Sequence, residues 1–339
     1  MSGTRGSEIR HPNLQLQVAE QGDVLPGTCV ALVALRLPPE ALLASARGAR
    51  PSLNFNGRIE HALPPKFAKL LAAESAMAEQ RRPPPDGIVT FRGLPLLVPE
   101  EQLKPRPASL AVVDAALAVA GRLQSEEVRV LDLGVGCGAL LLAILHSLGA
   151  CSSGTGVDID GSAVAACRAN AIRVLDKEHA SRVEVVLADF GQLHTFTVRS
   201  QLSLQGYDVI VCNPPYRSEA QQQAYDAATG RYGGHTEHSK ALVGGKTGLE
   251  MYEAIAASLA DEAAKAGQQP EVQPLLRPSG MLIFQVEAGN RDSPGGAAAR
   301  VGAAVERAAK GFLSVRSVHM DEQGLERAIL VEHAQRREG

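Results

Sequence analysis

No stretch of this 339-residue sequence approaches the ~18 consecutive apolar residues of a membrane-spanning helix, so a helical membrane protein is excluded. The first 23 residues hold Glu8, Glu20 and Asp23 and no apolar core, which argues against a secretory signal and leaves an organelle presequence open. An excess of one charge is missing as well. With 34 basic against 37 acidic residues, the total offers no nucleic-acid surface, and only a local basic face would supply one. Cysteine is scarce. The five present (Cys29, Cys137, Cys151, Cys167 and Cys212) include no CxxC pair, which speaks against a disulfide framework. Cys137, Cys167 and Cys212 fall inside apolar segments, as buried reduced thiols do in a cytosol-like compartment. The expected location is the cytoplasm, with the mitochondrion also compatible. Internal repeats are absent. The nine histidines form no metal-ligand pattern, and His235 and His238, in a polar stretch, read as surface residues. No metal is expected.

What is present begins with proline. Pro83-Pro84-Pro85-Asp86 is a stiff joint and the best domain boundary in the chain. Residues 1–86 before it read as a smaller N-terminal domain, with a strand over Thr28–Leu37 and a helix over Ala41–Arg47. A second helix runs over Lys66–Arg82 with an apolar stripe of Phe67, Leu70, Leu71 and Met77. Residues 87–107 read as a hairpin linker: Ile88–Phe91 and Leu94–Val98 flank Arg92-Gly93, and Pro95 confines the second strand to an edge. Pro105-Arg106-Pro107 then leads to Ser109, a candidate N-cap for a helix over Leu110–Ala120.

Residues 108–339 alternate strand and helix. Strands are predicted at Val128–Leu133, Gly156–Ile159, Val183–Leu187, Tyr207–Cys212 and Met281–Val286. Helices are predicted at Ala139–Leu148, after the capping Asp160, from the Thr247–Glu250 capping box, and at Ala297–Ala309. Two last strands, near Leu313–Val318 and Ala328–Val331, would add a hairpin at the sheet edge. The pattern is that of an α/β, doubly wound, seven-stranded, mostly parallel, Rossmann-like sheet. Tyr216 to Gly245 is polar and glycine-rich and reads as a long functional loop.

Gly134, Gly136 and Gly138 occupy the first strand-to-helix turn, where a missing side chain lets the backbone approach a ligand. With Ala139 they also satisfy the relaxed dinucleotide fingerprint, and Asp158 stands where a ribose-binding acid belongs. The glycine loop alone therefore leaves NAD and S-adenosylmethionine open. Three features choose the second. Asp132, ahead of the first glycine, would repel a pyrophosphate and suits a cationic amino-acid moiety. Asp189 ends the third strand, placed for an exocyclic adenine amine. Asn213-Pro214-Pro215-Tyr216 ends the fourth.

The tetrapeptide carries chemistry of its own. Neither proline can extend a ladder, so the pair stiffens the strand exit and holds Asn213 at the carboxyl end of the sheet. A planar NH2 nitrogen is a poor nucleophile because its lone pair is delocalised. The Asn213 side-chain oxygen and the Pro214 carbonyl can each accept one of its hydrogens, and Tyr216 can cover one face, leaving the other aimed at an electrophile.

These residues resemble a known group. Asp132–Gly138, Gly156–Asp160, Ala188–Phe190 and Asn213–Tyr216 are similar to class I S-adenosylmethionine-dependent methyltransferases that act on planar nitrogens. More narrowly, Phe91–Leu96, Lys104–Pro107, Ala241-Leu242 and Gly248–Tyr252 resemble the HemK (PrmC) family, which methylates the glutamine side-chain amide of the Gly-Gly-Gln motif in peptide-chain release factors. The resemblance runs from about Phe91 to the end. It implies a glycine loop around the methionine part of the cofactor, Asp158 on the ribose and Asp189 on the adenine. Asn213 and Pro214 would orient the acceptor amide, with Pro215 and Tyr216 beside it and Glu237 in the substrate-side loop. It implies a release factor as protein partner, recognised through the N-terminal domain, a monomer, no membrane, and nucleic acid only indirectly. The alternative is an adenine or guanine amino methyltransferase acting on DNA or rRNA, since Asn-Pro-Pro-Tyr is shared with such enzymes. Two stretches depart from the family: Ala108-Ser109 replaces an acid-hydroxyl pair, and Val286-Glu287-Ala288-Gly289, after the fifth strand, is close to the family's Glu-x-Gly stretch but not the same.

Overall fold

The structure, a computed structural model, describes residues 9–11, 14–16, 87–123, 125–229, 239–268, 272–290 and 296–334. The chain divides into two units, Met1–Arg82 and Pro83–Gly339. In the first, strands β1 (Ile9–His11) and β2 (Leu14–Leu16) pair antiparallel. The elements expected at 28–37, 41–47 and 66–82, the run Pro83–Asp86, Cys29, and His235, Glu237 and His238 lie outside the described residues.

The second unit opens on a hairpin, β3 (Ile88–Phe91) and β4 (Leu94–Leu97). Its turn puts Arg92 at φ 48° and Gly93 at φ 81°, the two positive angles a type I′ turn needs to match strand twist. Pro95 is exposed, while Phe91, Leu94 and Leu96 are buried in the core. A short 3-10 turn, Pro107–Ser109, runs straight into α1 (Leu110–Ala120). Ser109 is therefore not the expected cap: its side chain makes no capping bond and its backbone is already helical (φ −73°, ψ −12°). The ring of Pro107 presets φ for the turn, so the helical path starts there, with Arg106 as the last extended residue (φ −105°, ψ 149°).

The remaining elements are β5 (Val128–Leu133), α2 (Ala139–Leu148), β6 (Ser152–Asp158), α3 (Gly161–Val174), α4 (Lys177–Ala180), β7 (Val183–Leu187), α5 (Phe196–Arg199), β8 (Tyr207–Cys212), α6 (Glu219–Thr229), α7 (Ser239–Leu242), α8 (Glu250–Ala266), β9 (Leu276–Asn290), α9 (Ala297–Ala308), β10 (Leu313–Met320) and β11 (Leu325–His333). They build one seven-stranded sheet in the order β10-β11-β9-β8-β5-β6-β7. Five neighbours, β7, β6, β5, β8 and β9, run parallel. β11 lies antiparallel between β9 and β10. The expected terminal hairpin is present, but its second strand inserts inside the sheet and its first becomes the edge.

Helices cover both faces. Leu140 to Leu145 in α2 are all buried because α1 and α3 flank it on one face, with the β3–β4 hairpin joining the same cluster. Val164 and Cys167 of α3 belong there too. On the other face α8 and α9 bury Tyr252, Ile255, Leu259, Val301 and Val305. β8 is buried at all six positions, the mark of a central parallel strand covered on both sides. The segment expected as one long loop after Tyr216 contains α6. Ser218 Oγ accepts from the Gln221 N–H (3.1 Å) and Gln221 Oε1 accepts from the Ser218 N–H (2.8 Å). That reciprocal capping pair starts a helix without an apolar stripe.

Candidate active site

The carboxyl ends of β5, β6, β7, β8 and β9 form one rim, and the sequence-predicted residues divide between its two halves. In the first half, Gly134 (φ 79°), Gly136 (φ 53°) and Gly138 (φ 88°) all take left-handed backbone. The Gly134 and Val135 N–H groups donate to the Val157 carbonyl at 2.8 and 3.0 Å, which ties the loop to β6. A side chain on Gly136 would meet nothing within 4 Å, whereas one on Gly138 would strike Cys167 Sγ at 2.8 Å. One glycine thus keeps a space open, and the other allows close packing of loop on helix.

Three acids stand around that loop. Asp158 Oδ2 accepts from the Gly136 N–H (2.9 Å) and Oδ1 from the Asp160 N–H (3.0 Å), so each oxygen keeps a further lone pair. Burial pushes its carboxyl above the usual range, against those two N–H bonds. Asp189 accepts from the Gly191 N–H (2.8 Å) and from Gln192 Nε2 (3.1 Å) and is half-buried. Asp132 is 1% exposed. Its Oδ2 accepts from the Leu141 N–H at 3.2 Å, but Oδ1 has no partner. Burial pushes this carboxyl up to about 7; the Leu141 N–H pulls it back and the Asp158 charge adds to the rise. Beside Asp158, Ile159 stands 67% exposed at the tip of β6.

In the second half, Asn213 follows β8, its Oδ1 buried and without a partner. Pro214 is buried, and Pro215 and Tyr216 are half-buried. A returning segment locks this exit. Arg217 bridges Val243, its N–H donates to the Leu242 carbonyl (3.0 Å), and the Gly244 N–H donates back to the Arg217 carbonyl (2.9 Å). Side chains on Gly244 and Gly248 would collide with the Pro215 and Tyr216 carbonyls, so glycine there is a condition of the close approach. Only half of the expected capping box forms: the Thr247 N–H donates to Glu250 Oε1 at 2.9 Å, but the Thr247 hydroxyl accepts from the Leu249 N–H at 3.2 Å, and Leu249 holds the cap position of α8 with no side-chain capping bond. A pocket opens beside Asn213, Pro214, Tyr216 and Arg217. Its other walls are Leu103 and Arg106 ahead of α1, Ala241 and Leu242 of α7, and Gln285 of β9.

The sequence reading missed two contributors. Asn170 of α3 is fully buried. It accepts from the Leu97 N–H (2.8 Å) and donates to the carbonyls of Leu97 and Cys137 (both 2.8 Å), joining hairpin, glycine loop and helix. An asparagine among the apolar positions of a helix was the available signal. Gln285 is the second, and a lone amide in the apolar run Met281–Val286 was its mark. Among the described residues no group of three or more His, Cys, Asp or Glu is arranged to hold a metal ion. Among them, too, no helix is long and apolar enough to cross a membrane.

The methyltransferase small domain family matches residues 110–229. The release factor glutamine methyltransferase of Rhodospirillum rubrum is 32% identical over 236 residues, covering 66% of this chain and 66% of its own. The chain belongs to the HemK family of class I, S-adenosylmethionine-dependent methyltransferases. The release factor glutamine methyltransferases of Bradyrhizobium diazoefficiens (32% identity; 53% of this chain, 56% of that one) and Geobacter sulfurreducens (29%; 79% and 82%) are further relatives of this HemK chain. Across the first three relatives it spans between about half and two thirds of their length. The solved structure of human methyltransferase 10 domain containing protein superposes with a TM-score of 0.44 and 15% identity over 81% of this chain and 99% of that one.

Proposed function

We propose that this protein transfers the methyl group of S-adenosylmethionine to the side-chain amide nitrogen of the Gly-Gly-Gln glutamine of a peptide-chain release factor. The observation that carries the reading is the Asn213 side-chain oxygen, buried without a partner at a proline-stiffened strand exit that opens on a pocket.

The first half of the rim suits the cofactor. Asp132 Oδ1 lacks a partner, as an acid awaiting a cationic amino-acid moiety would. Gly136 leaves space where a side chain would otherwise stand, Asp158 keeps lone pairs for ribose hydroxyls, and Ile159 offers an exposed apolar surface to a planar adenine with Asp189 at the next strand end. The cofactor, when bound, supplies an electrophilic sulfonium methyl. The chain itself supplies position. Asn213 Oδ1 and the Pro214 carbonyl each accept one hydrogen of the acceptor NH2, and Tyr216 packs on its face, turning the other face outward. Alignment of this kind contributes up to ~7–11 kcal/mol to a rate enhancement. Residues 1–86 serve to recognise the release factor, and Glu237 serves on the substrate side.

The test is to incubate the protein with labelled S-adenosylmethionine and, in parallel, a release-factor domain, DNA and rRNA fragments. Label on the glutamine of the release-factor domain is expected. Label confined to an adenine or guanine amine would overturn the proposal.

A further inference from the structure

We infer that Gln285 is an acceptor-binding residue, whose side-chain carbonyl takes an N–H of the polypeptide that presents the reactive glutamine. The inference rests on the methyl-transfer reading above and specifies how the same pocket tells a peptide from an adenine. Cys212 pairs with Phe284 in the parallel register of β8 and β9, so Asn213 and Gln285 stand side by side one step beyond the last paired residues. Alternation along each strand turns them to the same face as Val211 and Ile283, which belong to one core cluster. Both line the pocket, and both present a side-chain oxygen that is buried and unpartnered.

Gln285 is 3% exposed. Its backbone is held on both sides, with the Tyr252 hydroxyl donating to its carbonyl at 2.7 Å and Ala328 opposite it on β11. A buried carbonyl without a partner destabilises the free protein, so its presence beside Asn213 is accounted for by a donor that arrives with the ligand. Counting donors separates a peptide from an adenine. Asn213 Oδ1 and the Pro214 carbonyl use both hydrogens of an NH2 group. An adenine amine then has none left, and its ring neighbours on either edge are acceptors. A glutamine in a peptide still has backbone N–H groups close by, and one of these fits the third oxygen.

The experiment compares Gln285→Met and Gln285→Glu with the wild-type protein, reading kcat and KM for the release-factor domain, calorimetric affinity for S-adenosylmethionine, and Tm. Gln285→Met is expected to lower kcat/KM about tenfold, mainly through KM, the effect of one lost hydrogen bond. Cofactor affinity stays unchanged, and Tm is unchanged or higher because an unpaired carbonyl has gone. Gln285→Glu, which keeps an accepting oxygen, recovers most of the loss. Unaltered kcat/KM in Gln285→Met overturns the inference. So does a parallel fall of Tm and cofactor affinity, which would mark a structural role, or failure of Gln285→Glu to recover, which would make the group a donor. Asn213→Ala separates the two claims. If it is inactive while Gln285→Met is fully active, only the role of Gln285 falls; if the wild-type protein labels no release factor, the methyl-transfer reading falls and this inference with it.

Discussion

Asp208 and Asp132 lie on the neighbouring strands β8 and β5 of one sheet and are 3% and 1% exposed, yet the fold treats them in opposite ways. At the amino end of β8, Asp208 takes both its oxygens to Arg277 Nη1 (2.8 and 2.9 Å) and one also to the Arg129 N–H (2.9 Å). At the carboxyl end of β5, Asp132 has one N–H and an oxygen with nothing. The contrast recurs. Glu262, 2% exposed, is closed by Arg199 Nε at 2.6 Å and the Leu275 N–H at 2.9 Å, while Asn213 and Gln285 are left open. Each orphaned group costs about 1–3 kcal/mol. Open α/β sheets bind ligands outside the carboxyl ends of their strands. Three of the buried unpartnered oxygens, those of Asp132, Asn213 and Gln285, lie at that rim, and on the proposed reading their missing partners come with cofactor and acceptor.

The comparison breaks first at Asn213. Asn213→Ala should lose on the order of 10²–10³ in turnover at saturating cofactor with little change in Tm; near-wild-type turnover would show that the open oxygen is idle. Next comes the closed acid. Asp208→Ala strands the Arg277 guanidinium and should cost about 3 kcal/mol in urea unfolding. That is the low end for a broken buried pair, because Arg277 is 21% exposed. Its kcat, measured where the variant is folded, should not move, and a large drop in kcat would join the two ends of the sheet functionally.

Asp132 sharpens the contrast through pH. Its folded pKa of about 7 lies above the unfolded value of ~3.9. The stability it contributes is therefore full below about pH 4 and lost as pH rises through about 7. Asp132→Asn should remove that fall: the free variant matches the wild type near pH 4 and is increasingly the more stable of the two as pH rises to 8. Its affinity for the sulfonium cofactor should drop at the same pH. Parallel stability curves for the two proteins across this range would refute the argument. The smallest effect belongs to an exposed pair, Arg182–Glu178 at 2.9 Å, where Glu178→Ala should change stability by less than ~0.5 kcal/mol; a larger shift would mean that surface charge, not the buried ends, governs this sheet.

Much of the fold was legible because its signals are local. The predicted Val128–Leu133, Ala139–Leu148, Val183–Leu187 and Tyr207–Cys212 coincide with β5, α2, β7 and β8, since apolar runs bounded by glycine, proline or a capping acid need no distant partner to be read. Asp160 caps α3 as expected, accepting from the Ser162 N–H at 2.9 Å. Helix α6 escaped because its capping pair, Ser218 and Gln221, is not followed by an apolar stripe. Ser109 misled because a hydroxyl before an apolar run looks like a cap even where a proline two residues earlier has already begun the turn. In the site, the glycine loop, its acids and Asn213–Tyr216 were visible as motifs. Gln285 was not, since one amide in an apolar strand has no meaning until the strand's neighbour is known.

By itself, the sequence determined the alternation of strands and helices, the open backbone of the glycine loop and the stiff exit after β8, since each follows from local sterics and side-chain periodicity. Only the tertiary structure decided that β11 lies between β9 and β10, that Asn213 and Gln285 share a pocket, and which buried groups find partners. The reason is range. Arg277 reaches Asp208 across 69 positions of chain, and whether a polar group is closed or left open depends on what the fold brings to it from that far away.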